Sequence, residues 1–201
     1  AWVNIPSEAE GYKMLIEGWA GYGYHIYIKD GEIDAVFGEY NVTDTRISGT
    51  TDLRGTGWRH ITVILNENIV RLYVDGQLDG SGAFDGILVG NYIDDLTIGA
   101  SPWSTSENFV GSIDEVSIWS IGLEEYQISE FMFSDSTFYD ENLVARYKFN
   151  SGEGNVLFDF SGNSNHGAIN GASWDQGFEP PPIEVTLLVN MQEYVQTSGD
   201  S

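Results

Sequence analysis

Gly23-Tyr24-His25-Ile26-Tyr27-Ile28-Lys29-Asp30-Gly31-Glu32-Ile33-Asp34-Ala35-Val36-Phe37 decides the fold class. Tyr24, Ile26 and Ile28 alternate with His25, Tyr27 and Lys29, the period of a strand with one buried face. Asp30-Gly31 follows, a pair that tolerates the left-handed conformations of a tight hairpin turn. Ile33, Ala35 and Phe37 then alternate back. The same grammar recurs downstream. Ile61, Val63 and Leu65 alternate up to Asn66-Glu67-Asn68, and 69–74 is the next run, ended by Asp75-Gly76. Residues 96–99 and 112–119 read as further strands, and 147–150 and 169–174 as short ones. The 24 glycines are spread along the chain, so the apolar runs stay short and punctuated. One stretch differs. Residues 123–132 contain no Gly or Pro and carry acids in the first turn, where the helix dipole favours them. The expectation is an all-β sandwich of two antiparallel sheets with one short helix near 123–132.

Charge and composition narrow the function. Eight Lys and Arg stand against 31 Asp and Glu, a net charge of −23 over 201 residues. Such a chain repels phosphate backbones and anionic lipid surfaces, so neither nucleic acid nor membrane insertion is expected. A cation, or a neutral or basic ligand, suits it better. With 41% apolar and 13% aromatic residues, it is no disordered acidic tail. The absence of cysteine removes disulfides, thiolate zinc sites and cysteine nucleophiles. No apolar run approaches the ~20 residues of a membrane span, and Ala1-Trp2-Val3-Asn4 lacks the basic start of a signal peptide. We read the chain as a fragment of a larger protein. Glu179-Pro180-Pro181-Pro182 forms a stiff spacer, after which Ile183, Val185, Leu187, Val189 and Met191 alternate. The expected organisation is a domain over 1–178, a linker over 179–182, and over 183–201 either the first strand of a following module or an added edge strand.

Several blocks carry a resemblance. They are Gly57-Trp58-Arg59-His60-Ile61-Thr62-Val63, Val70-Arg71-Leu72-Tyr73-Val74-Asp75-Gly76-Gln77-Leu78, and Leu96-Thr97-Ile98-Gly99 followed by Phe109-Val110-Gly111-Ser112-Ile113-Asp114-Glu115-Val116-Ser117-Ile118-Trp119. Leu143-Val144-Ala145-Arg146-Tyr147-Lys148-Phe149-Asn150 and Asp159-Phe160-Ser161-Gly162-Asn163-Ser164-Asn165-His166-Gly167 complete the set. Together they resemble a laminin G-type domain of the concanavalin A-like superfamily and, more loosely, pentraxins. The resemblance implies a two-sheet antiparallel jelly roll. Ala1-Trp2-Val3 resembles an internal strand that one or two others usually precede, so N-terminal strands are expected to be missing. An edge would then be filled by 183–191 of this or a neighbouring chain. The implied function is non-catalytic binding of a glycan or an extracellular protein. It would serve as one module, beside others of the same polypeptide, of a secreted or cell-surface adhesin or polysaccharide-processing protein. The alternatives are a structural spacer completed by strand exchange and a glycoside hydrolase.

Candidate site residues follow. Hydrolases of this fold place acids on one strand. Glu32 and Asp34 share a face, whereas Glu39 falls opposite unless a bulge intervenes. His25, His60 and His166 have no metal-ligand spacing. Calcium requires six to eight oxygens, and Asp159, Ser161, Asn163 and Asn165 offer one at every second position. The same residues also read as an Asx-rich turn bonding its own backbone. The resemblance to pentraxins adds Glu107 and Asn108 by their place between flanking strands, and Asp114 lies in a family block. For sugar stacking, Trp103 stands mid-loop between Pro102 and Ser104 and is the first candidate; Tyr92, Trp19, Tyr22 and Tyr24 rank behind it, Tyr92 being kept with Trp103 as a ligand-binding residue. Trp58, Trp119 and Trp174 fall in strand blocks and read as structural.

Overall fold

A computed structural model describes residues 1–18, 22–39, 45–86, 96–101, 104–133, 140–175 and 177. Tight turns set its connectivity. Asp30 and Gly31 (φ 50° and 96°) join β3 (Tyr22–Lys29) to β4 (Glu32–Glu39). Glu67 and Asn68 (φ 48° and 65°) join β6 (Trp58–Asn66) to β7 (Ile69–Val74), and Asp75 and Gly76 (φ 49° and 74°) carry β7 into β8 (Gln77–Ala83). Two consecutive left-handed residues match the twist of antiparallel strands, which is why Asp, Asn and Gly occupy most of these corners.

The remaining strands are β1 (Trp2–Asn4), β2 (Tyr12–Gly18), β5 (Thr45–Ser48), β9 (Thr97–Ile98), β10 (Ser112–Asp114), β11 (Val116–Trp119), β12 (Leu143–Tyr147), β13 (Val156–Leu157) and β14 (Gly167–Ala168). Two five-stranded antiparallel sheets result, in the orders β10-β1-β6-β7-β8 and β5-β4-β3-β2-β9. Their inner faces enclose one core containing Val3, Leu15, Ile28, Ile33, Val70 and Leu72, each at most 1% exposed. This is the expected all-β sandwich.

The one α-helix among the described residues, α1 (Glu125–Phe133), starts two residues later than expected. Gln127 accepts a hydrogen bond from the Glu124 backbone N–H at 2.7 Å, while the Gln127 N–H donates to the Glu124 carbonyl at 2.9 Å. That reach-back caps the first turn and fixes its start. On the helix, Ile128 and Met132 pack with Trp2, Ile64 and Tyr73 on the outer face of the first sheet.

Other boundaries differ for local reasons. The run expected over 112–119 is two strands, because Glu115 takes a positive φ of 47°. β10 stays on β1, and β11 turns aside to pair with β12. The strand expected at 147–150 lies at 143–147, ended before Phe149 (φ 53°). The one expected at 169–174 is not formed; β13 pairs with β14 instead, and Gly171 (φ 79°) turns the chain beyond it. Trp174 there donates its indole N–H to the Gly154 carbonyl at 2.9 Å. The proline linker and the 183–191 run lie outside the described residues. Among the described residues, no helix is long and apolar enough to cross a membrane.

Candidate functional site

The outer face of the β5-β4-β3-β2-β9 sheet gathers the chemistry. Strand alternation sends Ile26, Ile28, Ile33, Ala35 and Phe37 inward, so His25, Tyr27, Asp34 and Val36 face the other way. A bulge in β2 between Met14 and Ile16 shifts its register. Leu15 and Ile16 therefore both reach the core, and Glu17 lands opposite His25. Cross-strand pairing then lays out two rows, Met14–Tyr27–Asp34–Ser48 and Glu17–His25–Val36–Arg46.

The groups interlock. Arg46 Nη1 lies 3.6 Å from Asp34 Oδ2, and its guanidinium sits 5.7 Å from the centre of the Tyr27 ring. Tyr12 meets Tyr27 edge to face at 5.3 Å, and Lys29 Nζ lies 5.8 Å over the Tyr12 ring. Asp34 and Tyr27 are buried, whereas Tyr12 is 42% exposed and the Arg46 side chain 44%. Burial, reinforced by the Asp34 charge, pushes the Tyr27 phenol well up, so it stays protonated. Its hydroxyl makes no hydrogen bond within normal distance, although Asp34 is near enough to influence it. The nearby Tyr12 hydroxyl holds the Arg46 guanidinium above its usual range. Beside them His25 Nδ1 lies 3.7 Å from Glu17 Oε2. Burial pushes His25 down to about 4, so at neutral pH a neutral ring faces Glu17.

This arrangement suits binding better than glycoside hydrolysis. Glycosidase carboxyl pairs lie about 5–5.5 Å or about 6.5–9.5 Å apart. Glu17 and Asp34 are two strands and two residues apart, about 12 Å along the backbone grid. Glu32 and Asp34 share a face as expected, but Glu32 is exposed at the hairpin end and Asp34 faces Arg46.

The other sequence-predicted residues are dispersed. Trp103, Tyr92 and Trp19 lie outside the described residues, as does the Tyr22 side chain. Tyr24 is half-buried against the core, 6.1 Å from Phe37. Asp159 Oδ1 accepts the backbone N–H groups of Arg146 and Ser161, and its Oδ2 accepts the Asn165 N–H and the Ser161 hydroxyl. Those four bonds engage all the lone-pair directions of one carboxylate. Burial raises the Asp159 pKa, but these donors outweigh it and hold the group below the usual range. The Asn163 and Asn165 amides donate to the Val144 carbonyl, so this loop is knit to β12. Glu107 accepts from the Ser101 hydroxyl at 3.2 Å and Asn108 from the Ser101 N–H at 3.1 Å. Asp114 is buried and accepts the Glu115 N–H. Among the described residues, no three His, Cys, Asp or Glu side chains converge as a metal site would require. His60 is buried edge-on to Trp2 at 5.2 Å, and His166 Nδ1 accepts the Asp159 N–H at 3.0 Å.

The sequence reading missed Glu17, Tyr27, Arg46 and Tyr12. The alternation itself held the signal, since it already set His25 and Tyr27 apart from the core-facing residues.

Fold and sequence agree on the class. The profile of the concanavalin A-like lectin/glucanases superfamily, laminin G group, matches residues 1–129, and the chain belongs to that superfamily. Among solved structures, it is similar to a candidate carbohydrate-binding protein from Bacteroides ovatus ATCC 8483, with a TM-score of 0.66 and 21% identity over 83% of this chain and 49% of that one. The chain thus spans about half the length of that structure. A botulinum neurotoxin serotype C1 binding domain (TM-score 0.46, 19% identity, 64% of this chain and 34% of that one) and a heptameric SAP-like pentraxin from Limulus polyphemus (0.46, 16%, 64% and 65%) are more distant. No curated protein matches the chain.

Proposed function

We propose that this chain is a non-catalytic glycan-binding module of a secreted or cell-surface protein, with its site on the outer face of the β5-β4-β3-β2-β9 sheet. One observation carries the reading: the exposed Tyr12 and Arg46 stand on the buried pair Asp34 and Tyr27. An exposed aromatic ring offers a sugar's C–H face a flat partner. The guanidinium beside it donates to hydroxyls from a fixed position. Most of the side-chain ordering cost is met before the ligand arrives. The net charge of −23 favours a neutral glycan over an acidic one. The carbohydrate-binding description of the Bacteroides ovatus structure supports this reading.

A glycan array followed by calorimetric titration of the hits tests it. Neutral oligosaccharides bind, and Tyr12→Ala weakens them about tenfold or more, a loss of roughly 1.4 kcal/mol. Asp34→Asn weakens binding less, because the Arg46 donors remain but are no longer fixed by an ion pair. An array without hits, or hits indifferent to Tyr12→Ala, overturns the assignment. Repeating the titration with a chelator tests calcium. With the Asp159 oxygens committed to the chain itself, no change is expected from that loop.

A further inference from the structure

Asn170-Gly171 is the single Asn-Gly step in the sequence. Asparagine is among the thermolabile side chains, and the residue after it sets how labile it is. The backbone nitrogen of that residue can attack the asparagine side-chain carbon and close a five-membered ring. Glycine, with no Cβ, leaves the approach open and lets the backbone adopt the conformation it needs.

The fold sorts the steps that could close in this way. Asn163-Ser164 lies in an exposed loop, but the Asn163 amide donates to the Leu143 and Val144 carbonyls at 2.7 and 3.1 Å, which commits it to β12. Asn150 is exposed, but Ser151 follows it and brings a Cβ. Four Asp-Gly steps offer the same ring with hydroxide as the leaving group, a poorer one than ammonia. Three of those carboxylates are also held. Asp30 accepts the Gly11 N–H, Asp75 accepts from Arg59 and the His60 N–H, and Asp79 accepts the Thr50 and Thr51 hydroxyls. The fourth, Asp85, keeps the poorer leaving group.

Asn170 differs on each count. It and Gly171 are exposed, just past β14. Among the described residues, neither the Asn170 side chain nor the Gly171 N–H has a hydrogen-bond partner. Gly171 has a φ of 79°, and a Cβ built on it would meet nothing within 4 Å, so a ring has room to form. The chain is tethered on either side without the step itself being engaged. The Ile169 N–H donates to the Asn155 carbonyl at 2.8 Å, and the Trp174 indole N–H to the Gly154 carbonyl at 2.9 Å.

We propose that Asn170 is a self-modification site, at which the folded chain converts through a succinimide to a mixture of aspartate and isoaspartate. The Gly171 nitrogen bonds to the Asn170 side-chain carbon and gives up its proton. The bond from that carbon to the side-chain nitrogen breaks, and ammonia leaves with the proton. Water then opens the ring. Opening at the side-chain carbonyl gives aspartate. Opening at the main-chain carbonyl gives isoaspartate, whose main chain runs through the side chain and is one carbon longer. No oxidant, reductant or cofactor takes part. Either product adds one negative charge to the −23 of the chain. The step is remote from the β5-β4-β3-β2-β9 sheet in the topology, so the proposal is independent of the glycan reading.

Ageing the chain 1–201 in heavy-oxygen water at mildly alkaline pH tests it, folded and, in parallel, unfolded in guanidinium chloride. Peptide mapping by mass spectrometry locates the conversion, and methyltransferase labelling reads isoaspartate. Because the corner needs no local opening to react, the folded rate at Asn170 is expected to lie within about tenfold of the unfolded rate. In the folded chain it is expected to exceed the rates at Asn150 and Asn163 by about tenfold or more. Each converted chain carries one heavy oxygen, and isoaspartate accompanies aspartate. Asn170→Gln, which would have to close a six-membered ring, removes the signal from this peptide. Stronger protection in the folded chain overturns the proposal, as does a rate at Asn170 no higher than at Asn150 or Asn163. Conversion to aspartate alone, which is direct hydrolysis without a ring, overturns it too, and so does a signal that persists in Asn170→Gln.

Discussion

Between β5 and β9 every strand of one sheet has its neighbours, and its outer face carries a polar layer: Asp34 against Arg46, Glu17 against His25, with Tyr27 between the rows. The other sheet is separated from the β11-β12 pair by a gap lined by residues of β6 and β11, and its outer face is apolar, packed under α1 through Trp2, Ile64 and Tyr73. The contrast shows two uses of the same strand alternation. Where the hydrogen-bonded ladder is complete, the side chains facing away from the core carry charge in paired rows. Where the sheet packs under α1, the side chains facing away from the core are apolar and little room is left for polar chemistry.

Paired truncations in the core break the comparison most severely. Leu72, fully buried at the centre of β7, has close neighbours on all sides. Ile64 on β6 lines the gap. Leu72→Ala is expected to cost about 3–5 kcal/mol in urea denaturation. Ile64→Ala is expected to cost only about 1–2 kcal/mol, because part of its surroundings is already empty. Equal costs would mean that Ile64 is packed as fully as Leu72.

The polar face has its own signature in pH. His25 takes a proton near its ordinary 6.5 when unfolded, but only near 4 when buried beside Glu17. The unfolded chain therefore binds more protons between those values. Stability from this residue is fully present above pH 6.5 and is lost as pH falls toward 4, by roughly 3 kcal/mol at most. His25→Gln should flatten the stability profile across that window. His60, buried beneath Trp2 and also shifted well down by burial, keeps its own share of the slope on the apolar sheet. A profile unchanged by His25→Gln would mean that His25 does not carry the acid sensitivity.

Which features were legible follows from how local their causes are. Asp30-Gly31 and Asp75-Gly76 announce their hairpins because turn conformation is decided by the residues in the turn. The breaks at Glu115 and Phe149 carry no such mark, since neither residue type favours a positive φ. The site was hidden for a longer-range reason. Glu17 faces His25 only because β2 bulges between Met14 and Ile16, and Arg46 reaches Asp34 only through the register of β5 on β4. Periodicity says which residues share a face of one strand. It does not say which residues of different strands become neighbours.

The smallest effect tests the joint between the two regions. α1 covers the outer side of the gap, and its first turn is held by the reciprocal bonds between Glu124 and Gln127. Gln127 is buried, so its amide cannot be replaced by water without rearrangement. Gln127→Ala leaves the Glu124 N–H without that acceptor and should cost about 1 kcal/mol, the usual value of a helix cap. Fraying of that turn would loosen Ile128, which packs with Trp2 and Ile64 on the outer side of the gap. The substitution should therefore speed exchange at Val63 and Leu65 more than at the Ile28 amide in the other sheet. An equal increase at all three would show that α1 stabilises the sandwich as a whole rather than the sheet it covers.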